Sequence, residues 1–478
     1  MITDAFVKRL RNKMREDKGL NGDAQRIEQL AWMLFLKIFD DREKQFEEFD
    51  PNYASPIPIP LKWRTWAIPE EGLTGDKLLE FVNSELLPQL QAVSTKSDTD
   101  KRHLVVRTVM DEAINYMRNG TIMRQIINML NELDFNRTED RHAINDIYEK
   151  ILKDLQAGDS GEFYTPRPLT HFIVEMVNPK LGDTVFDPAC GTGGFLVDSL
   201  EHLRAQAETG EEEMVAQNAI RGIDAKQLPH VLCMTNLLLH GIDAPTQIKR
   251  NNTLARPTRD YGPSDFVDVI VTNPPFGGTE EPGIEKNFPA NFQTRETADL
   301  FLYLITRLLK PGGRCGIVLP DSILSGDGVK ARLKEELMTK CNLHTIVRLP
   351  GGEFTPYAAP KVCLLFFEKG TPTKETWFYE LPLPDGVGKN GFTKTKPLLS
   401  EHLQPIKEWW GKRDGNDNAW AVPINEVRER GWSLHFSNPN KPTNHEAEDV
   451  GAILSELEEI KTRINSTLAE LQELLMEK

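Results

Sequence analysis

Two hydrophobic rhythms divide this chain. Before residue 155, apolar positions recur at helical spacing: Ile27, Leu30, Ala31 and Leu34 form one stripe, and Val106, Val109, Met110 and Ala113 form another. Between them, Pro51 to Pro69 reads as a Pro-rich connector. After about residue 180 the rhythm changes to short apolar runs closed by Gly, Pro, Asp or Asn. Thr184-Val185-Phe186, Ile220-Arg221-Gly222-Ile223 and Phe266 to Thr272 read as strands. Cys315 to Pro320, Thr345 to Leu349 and Val362 to Phe367 do as well, the last two as a terminal pair. A further strand is expected to end near Asn251-Asn252-Thr253-Leu254, and Leu309 to Arg314 reads as a turn. Apolar helices are expected to open at Phe195 and Ala298, so strands and helices alternate in an α/β pattern. From Val450 through Ile453, Leu457, Ile460, Ile464, Thr467 and Leu471 to Leu474 the spacing alternates between three and four, a coiled-coil seam.

Two of the strand ends carry candidate chemistry. The run Phe266 to Thr272 ends in Asn273-Pro274-Pro275-Phe276. Consecutive prolines stop a β-ladder and stiffen the loop at the strand's carboxyl end, the edge where open α/β sheets bind ligands. The Asn273 side-chain oxygen and the Pro274 carbonyl can both accept from one NH2 group, and Phe276 can stack on a flat ring. A Pro-rich turn capping a strand is the plainer reading of the same four residues. Upstream, Asp187-Pro188-Ala189-Cys190-Gly191-Thr192-Gly193-Gly194-Phe195 follows a strand and opens a helix. Its glycines allow close backbone approach to a ligand. It has neither the phosphate-loop lysine nor the dinucleotide G-x-G-x-x-G spacing. An acid ahead of the glycines suits an ammonium-bearing ligand better than a phosphate.

Together the two motifs resemble the S-adenosylmethionine-dependent amino-methyltransferases, where D-P-x-x-G-T-G-G-F binds cofactor and N-P-P-[FY] holds the target. Gly161-Glu162-Phe163-Tyr164-Thr165-Pro166 is similar to an element of adenine-N6 DNA methyltransferases that contacts the cofactor's carboxylate end. The resemblance implies a class I methyltransferase fold, a Rossmann-like mixed sheet, with catalytic residues Asn273, Pro274, Pro275 and Phe276. It implies cofactor contacts from Tyr164, Thr165, Pro166, Asp187, Ala189, Gly191, Thr192, Gly193, Gly194, Phe195, Asp224 and Asn252. Asp224 would accept from the ribose hydroxyls. Asn252 stands where the family often has an acid for the adenine amine, and a turn asparagine explains it equally well.

The helical region before the sheet, with Ala31-Trp32-Met33-Leu34-Phe35-Leu36-Lys37, resembles the modification subunits of type I restriction–modification systems. Expected domains are a helical domain over 1–155, the catalytic domain over 156–370, an irregular connecting region over 371–443 and a partner-binding coiled coil over 444–478. Trp409, Trp410, Trp420 and Trp432 in the connecting region are expected to serve packing rather than base stacking. The resemblance further implies double-stranded DNA with a flipped adenine, a specificity subunit, a second copy of this chain and restriction subunits as partners.

Composition changes the picture at one point. The net charge of −15 repels DNA overall, so a partner or a local basic patch must supply most phosphate contacts. The region after 370 is too small for a target-recognition domain, which favours the partner. The five cysteines form no C-x-x-C pair or metal-ligand spacing, and no metal is expected. The apolar run from Leu30 to Phe39 is interrupted by Lys37 and too short for a bilayer. A cytoplasmic protein without a membrane partner is expected. Two alternatives stay open: a methyltransferase acting on protein glutamine amides, and a non-catalytic cofactor-binding scaffold.

Overall fold

The computed structural model describes residues 2–69, 72–94, 101–133, 165–355, 360–388, 391–441 and 461. The coiled-coil expectation for 444–478 and the Gly161–Tyr164 element lie outside the described residues, Lys461 excepted.

The N-terminal region is helical, centred on the 27-residue helix Asp23–Phe49. Burial runs almost unbroken from Gln29 to Asp41, so this helix is covered on every side. Helix Gln227–Leu239 of the sheet region packs against it. Lys37, which interrupts the apolar run, is buried with Asp41 at 3.1 Å. The connector after Pro51 forms the short turns Ile59–Leu61 and Trp63–Trp66, and Trp63 is fully buried. The second stripe ends earlier than its spacing suggests. Helix Lys101–Met110 stops before Asp111-Glu112, and Ala113 lies in the loop beyond.

Among the described residues the sheet has nine strands: β1 (Val185–Asp187), β2 (Ile220–Asp224), β3 (Ile248–Arg250), β4 (Val267–Thr272), β5 (Leu309–Pro320), β6 (Cys341–Arg348), β7 (Val362–Lys369), β8 (Glu375–Glu380) and β9 (Ala419–Pro423). Their order is β3-β2-β1-β4-β5-β7-β6-β8-β9. Strands β3, β2, β1, β4 and β5 are parallel, and β7 enters antiparallel between β5 and β6. The order reverses between β1 and β4, so the loops after these two strands flank the switch-point crevice. The Gly-rich loop and Asn273-Pro274-Pro275-Phe276 are those loops.

Three expectations need correction. Leu309 to Arg314 is not a separate turn. It begins β5, with a register skip between Val267 and Val269 and with Gly312 at φ +78°. Strands β6 and β7 pair with each other but do not end the sheet. The region 371–443, expected to be irregular, carries β8 and β9. Phe378 stacks on Trp420 across this pair at 5.3 Å, and Tyr379 meets Trp409 at 5.1 Å. The Pro- and Gly-rich segment between the two strands hides their pairing from any local pattern. The tryptophans do pack: Trp410 lies 4.8 Å from Phe366, and Trp409 and Trp420 are buried.

Candidate active site

Strand β1 delivers Asp187 to the crevice, and the chain then turns through Pro188 to Gly193 before helix Gly194–Arg204. Gly191 and Gly193 have φ of +52° and +82°, which L side chains rarely adopt. A Cβ on Gly193 would also sit 2.8 Å from the Cys233 sulfur. Neighbouring elements pin the loop. The Asn236 side chain donates to the Thr192 carbonyl at 3.0 Å, Thr253 Oγ1 donates to the Pro188 carbonyl at 2.6 Å, and Arg167 donates to the Gly194 carbonyl at 2.9 Å. Ala189, Gly191 and Gly194 keep accessible surface, whereas Thr192, Gly193 and Phe195 are buried behind them. The loop therefore presents backbone to the crevice.

Asp187 joins the two motifs. Its carboxylate is 1% exposed and accepts from Ala189 N at 3.0 Å and from Thr272 Oγ1 at 2.6 Å, Thr272 being the residue before Asn273. Burial pushes its pKa up to about 7 against the lowering effect of these two bonds, with the Asp224 charge adding to the rise. The ammonium-binding expectation for Asp187 meets a carboxylate whose described hydrogen bonds are internal. Asp224, at the end of β2, is half-buried and accepts from Gly191 N and Lys226 N, each at 2.9 Å. Asn252 follows β3 as a turn cap: its side-chain oxygen accepts from Leu254 N at 2.9 Å, and its amide donates to Glu280 at 3.1 Å.

At the end of β4, Asn273 Nδ2 donates to Thr165 Oγ1 at 2.9 Å. This bond orients the amide. Its other end, Oδ1, is buried and has no hydrogen-bond partner among the described residues. Buried acceptors are almost always paired, so an orphan at a strand's carboxyl end points to a ligand's donor. Pro274 is buried, Pro275 and Phe276 are half-buried, and the Phe276 ring meets Phe354 edge-on at 5.9 Å and 90°. Thr165 and Pro166 lie beside this loop, Pro166 capping helix Arg167–Val177, while Tyr164 is outside the described residues.

Sequence reasoning missed Thr272, Arg167, Asn236, Glu280 and Phe354. Each acts through a partner distant in the chain, and no local motif marks them. Among the described residues no cluster of His, Cys, Asp or Glu side chains is arranged to hold a metal ion, and no helix is long and apolar enough to cross a membrane.

A model of the N-6 DNA methylases matches residues 139–449, and a model of the HsdM N-terminal domain matches residues 3–130. The chain belongs to the N-6 DNA methylase family. This methylase is 52% identical over 448 residues to the methylase subunit of the type I restriction enzyme EcoEI from Escherichia coli, covering 92% of this chain and 91% of the relative. A solved modification subunit assigned to a type I restriction enzyme of Vibrio vulnificus YJ016 superposes with TM-score 0.82 at 43% identity, covering 91% of this methylase and 96% of that chain. A chain from a structure titled for complex assembly and conformational transition of the type I R-M system gives TM-score 0.80 at 36% identity, covering 100% and 99%. The methylase is thus a type I modification subunit, an adenine-specific DNA methyltransferase of the S-adenosylmethionine-dependent class. The glutamine-amide alternative loses its support, because the family models account for both the helical region and the sheet.

Proposed function

We propose that this subunit methylates N6 of an adenine flipped out of double-stranded DNA, with Asn273, Pro274, Pro275 and Phe276 holding the base. The observation that carries this reading is the Asn273 amide, anchored at Nδ2 by Thr165 while Oδ1 stays buried and unpartnered among the described residues. A stacked adenine is out of reach for such a loop, so the base must leave the duplex. Asn273 Oδ1 and the Pro274 carbonyl accept from the two N–H bonds of the amine and orient the nitrogen lone pair. Phe276, buttressed by Phe354, stacks on the ring. Positioning and desolvation carry the rate enhancement.

The residues present fit S-adenosylmethionine, which supplies an electrophilic methyl group on a sulfonium. Gly191 keeps accessible backbone at φ +52°, and Gly193, at φ +82° against Cys233, holds the turn behind it. Tyr164, Thr165 and Pro166 hold the methionine end together with Ala189, Gly191 and Gly194, while Asp187, Thr192, Gly193 and Phe195 set the loop from behind, Asp187 through Ala189 N. Asp224 takes the ribose and Asn252 the adenine edge, its oxygen having one lone pair beyond the turn bond.

The chain's net charge of −15 supports DNA selection by a separate specificity subunit, engaged in part by the heptad-patterned segment over 444–478. A second copy of this chain and restriction subunits complete the proposed assembly. Transfer of labelled methyl from S-adenosylmethionine to unmethylated DNA tests the reading. Transfer is expected with the specificity subunit present and not with this chain alone. Transfer by the chain alone would place a DNA-reading element within it. None in either case, with cofactor bound, would refute the DNA substrate.

A further inference from the structure

The guanidinium of Arg250, the last residue of β3, sits where the two cofactor loops meet the N-terminal helices. Its Nη1 donates to Gln227 Oε1 at 2.7 Å and to Glu112 Oε1 at 2.6 Å. Gln227 begins the helix three residues after Asp224, and Asn252 follows Arg250 by two. The next residue repeats the tie through the backbone, Asn251 N donating to the Asp224 carbonyl at 2.9 Å. Arg250 thus braces the end of β2 against the end of β3. Glu112 reaches it from the N-terminal region, on a loop that is itself fixed. The Gln91 side chain donates to the Ala113 carbonyl at 3.1 Å, and Tyr116 N donates to Gln29 Oε1 at 2.9 Å. Close by, Glu112, Gln227, Trp32 and Val231 line a cavity of about 530 Å³ between the N-terminal helices and helix Gln227–Leu239, so this seam is not packed solid.

We infer that Arg250 is a positioning residue for the nucleoside end of the cofactor, and that Glu112 makes its setting depend on docking of the N-terminal helices. The inference rests on the assignment of Asp224 and Asn252 to the cofactor. The two ion-pair side chains are 38% and 48% exposed, so the pair is screened by salt and its coupling is modest. Coupling is reciprocal: cofactor binding holds the N-terminal helices more firmly against the sheet.

Isothermal titration of the full chain with S-adenosylmethionine, at low and at high salt, tests this. Glu112→Gln is expected to weaken binding about three-fold at low salt, within the range of exposed charge pairs, and Arg250→Ala, which loses the Gln227 hydrogen bond as well, about ten-fold. The double variant should bind no more weakly than Arg250→Ala alone. High salt should erase the Glu112→Gln effect. With specificity subunit and DNA, KM for the cofactor should rise while kcat at saturation is unchanged, and Arg250→Lys should recover part of the loss. Asp224→Ala is the control. If it binds normally, the cofactor assignment itself fails. If it loses binding while Arg250→Ala and Glu112→Gln match the parent, the positioning role is overturned and the assignment stands. Arg250→Ala weakened with Glu112→Gln unchanged at low salt would overturn the link to the N-terminal helices.

Discussion

In the N-terminal helices, buried charge is matched by opposite charge. Asp40 meets Arg64 at 2.8 Å, Arg64 also reaches Glu47 at 2.6 Å, and Lys62 bridges Glu47 at 2.6 Å and Glu43 at 3.5 Å. Burial raises the pKa of Asp40, and the Arg64 hydrogen bond and charge oppose that rise. At the carboxyl edge of the sheet the buried polar groups are not so matched. Among the described residues Asn273 Oδ1 lacks a partner, and Asp187 is sealed among neutral donors with another acid nearby. The first region spends its polar groups on holding a shape. The second leaves the Asn273 oxygen poised, at a cost in stability, which is the pattern expected where a ligand must complete the bonding.

The largest test of this contrast is Asn273→Ala. Methyl transfer should fall by roughly a thousand-fold or more, while cofactor affinity stays within about two-fold. Single-turnover kinetics with the assembled complex would show it, and retained turnover would end the assignment of Oδ1.

Next comes Asp187→Asn. Because burial lifts the folded pKa from 3.8 to about 7, the native state holds a proton that the unfolded chain has released between those values. Stability from this group is therefore full below about pH 4, declines as pH rises toward 7, and is flat above. Asparagine does not titrate, so the variant's stability relative to the parent should climb by up to about 4 kcal/mol from pH 4 to 8. Urea midpoints across that range would reveal it. Parallel curves for parent and variant would show that the carboxyl is not held in this state.

Arg64→Met should act in the opposite region and the opposite manner. It strands Asp40, a group 1% exposed, and should destabilise by about 2–3 kcal/mol, since Arg64 is itself partly solvated. Activity per folded molecule should not change, and an activity loss larger than the folded fraction explains would blur the comparison.

The smallest contrast uses two glycines of positive φ. Gly193→Ala meets Cys233 and should cost about 2 kcal/mol together with cofactor affinity. Gly75→Ala, at φ +57° with open space around it, should cost about 1 kcal/mol in stability and leave the cofactor untouched. Equal effects on cofactor binding would mean that the Gly193 loop is only a turn.

Much of the site is legible in the sequence because its signals are local. A β-branched run ending in two prolines marks a strand end, and glycines between a strand and a helix mark a ligand-facing turn. The positions of Gly191, Gly193, Asp224 and Asn273 follow from such signals. Thr272 reads only as the last residue of a strand, and its bond to Asp187 spans 85 residues of chain. Thr165 orients Asn273 across 108 residues. Likewise Glu375–Glu380 becomes a strand because β6 offers it an edge, and nothing within its six residues requires that partner.

By itself, the sequence determined the α/β alternation, the strand ends that carry the chemistry, and the family resemblance, because period, turn propensity and motif order are properties of neighbouring residues. Only the tertiary structure decided that Asp187 serves Thr272, that one end of the Asn273 amide is left without a partner among the described residues, that the sheet runs on to β9, and that Arg250 meets a carboxylate from the N-terminal region. Each of these depends on which surfaces are buried against each other, and burial is a property of the folded chain as a whole.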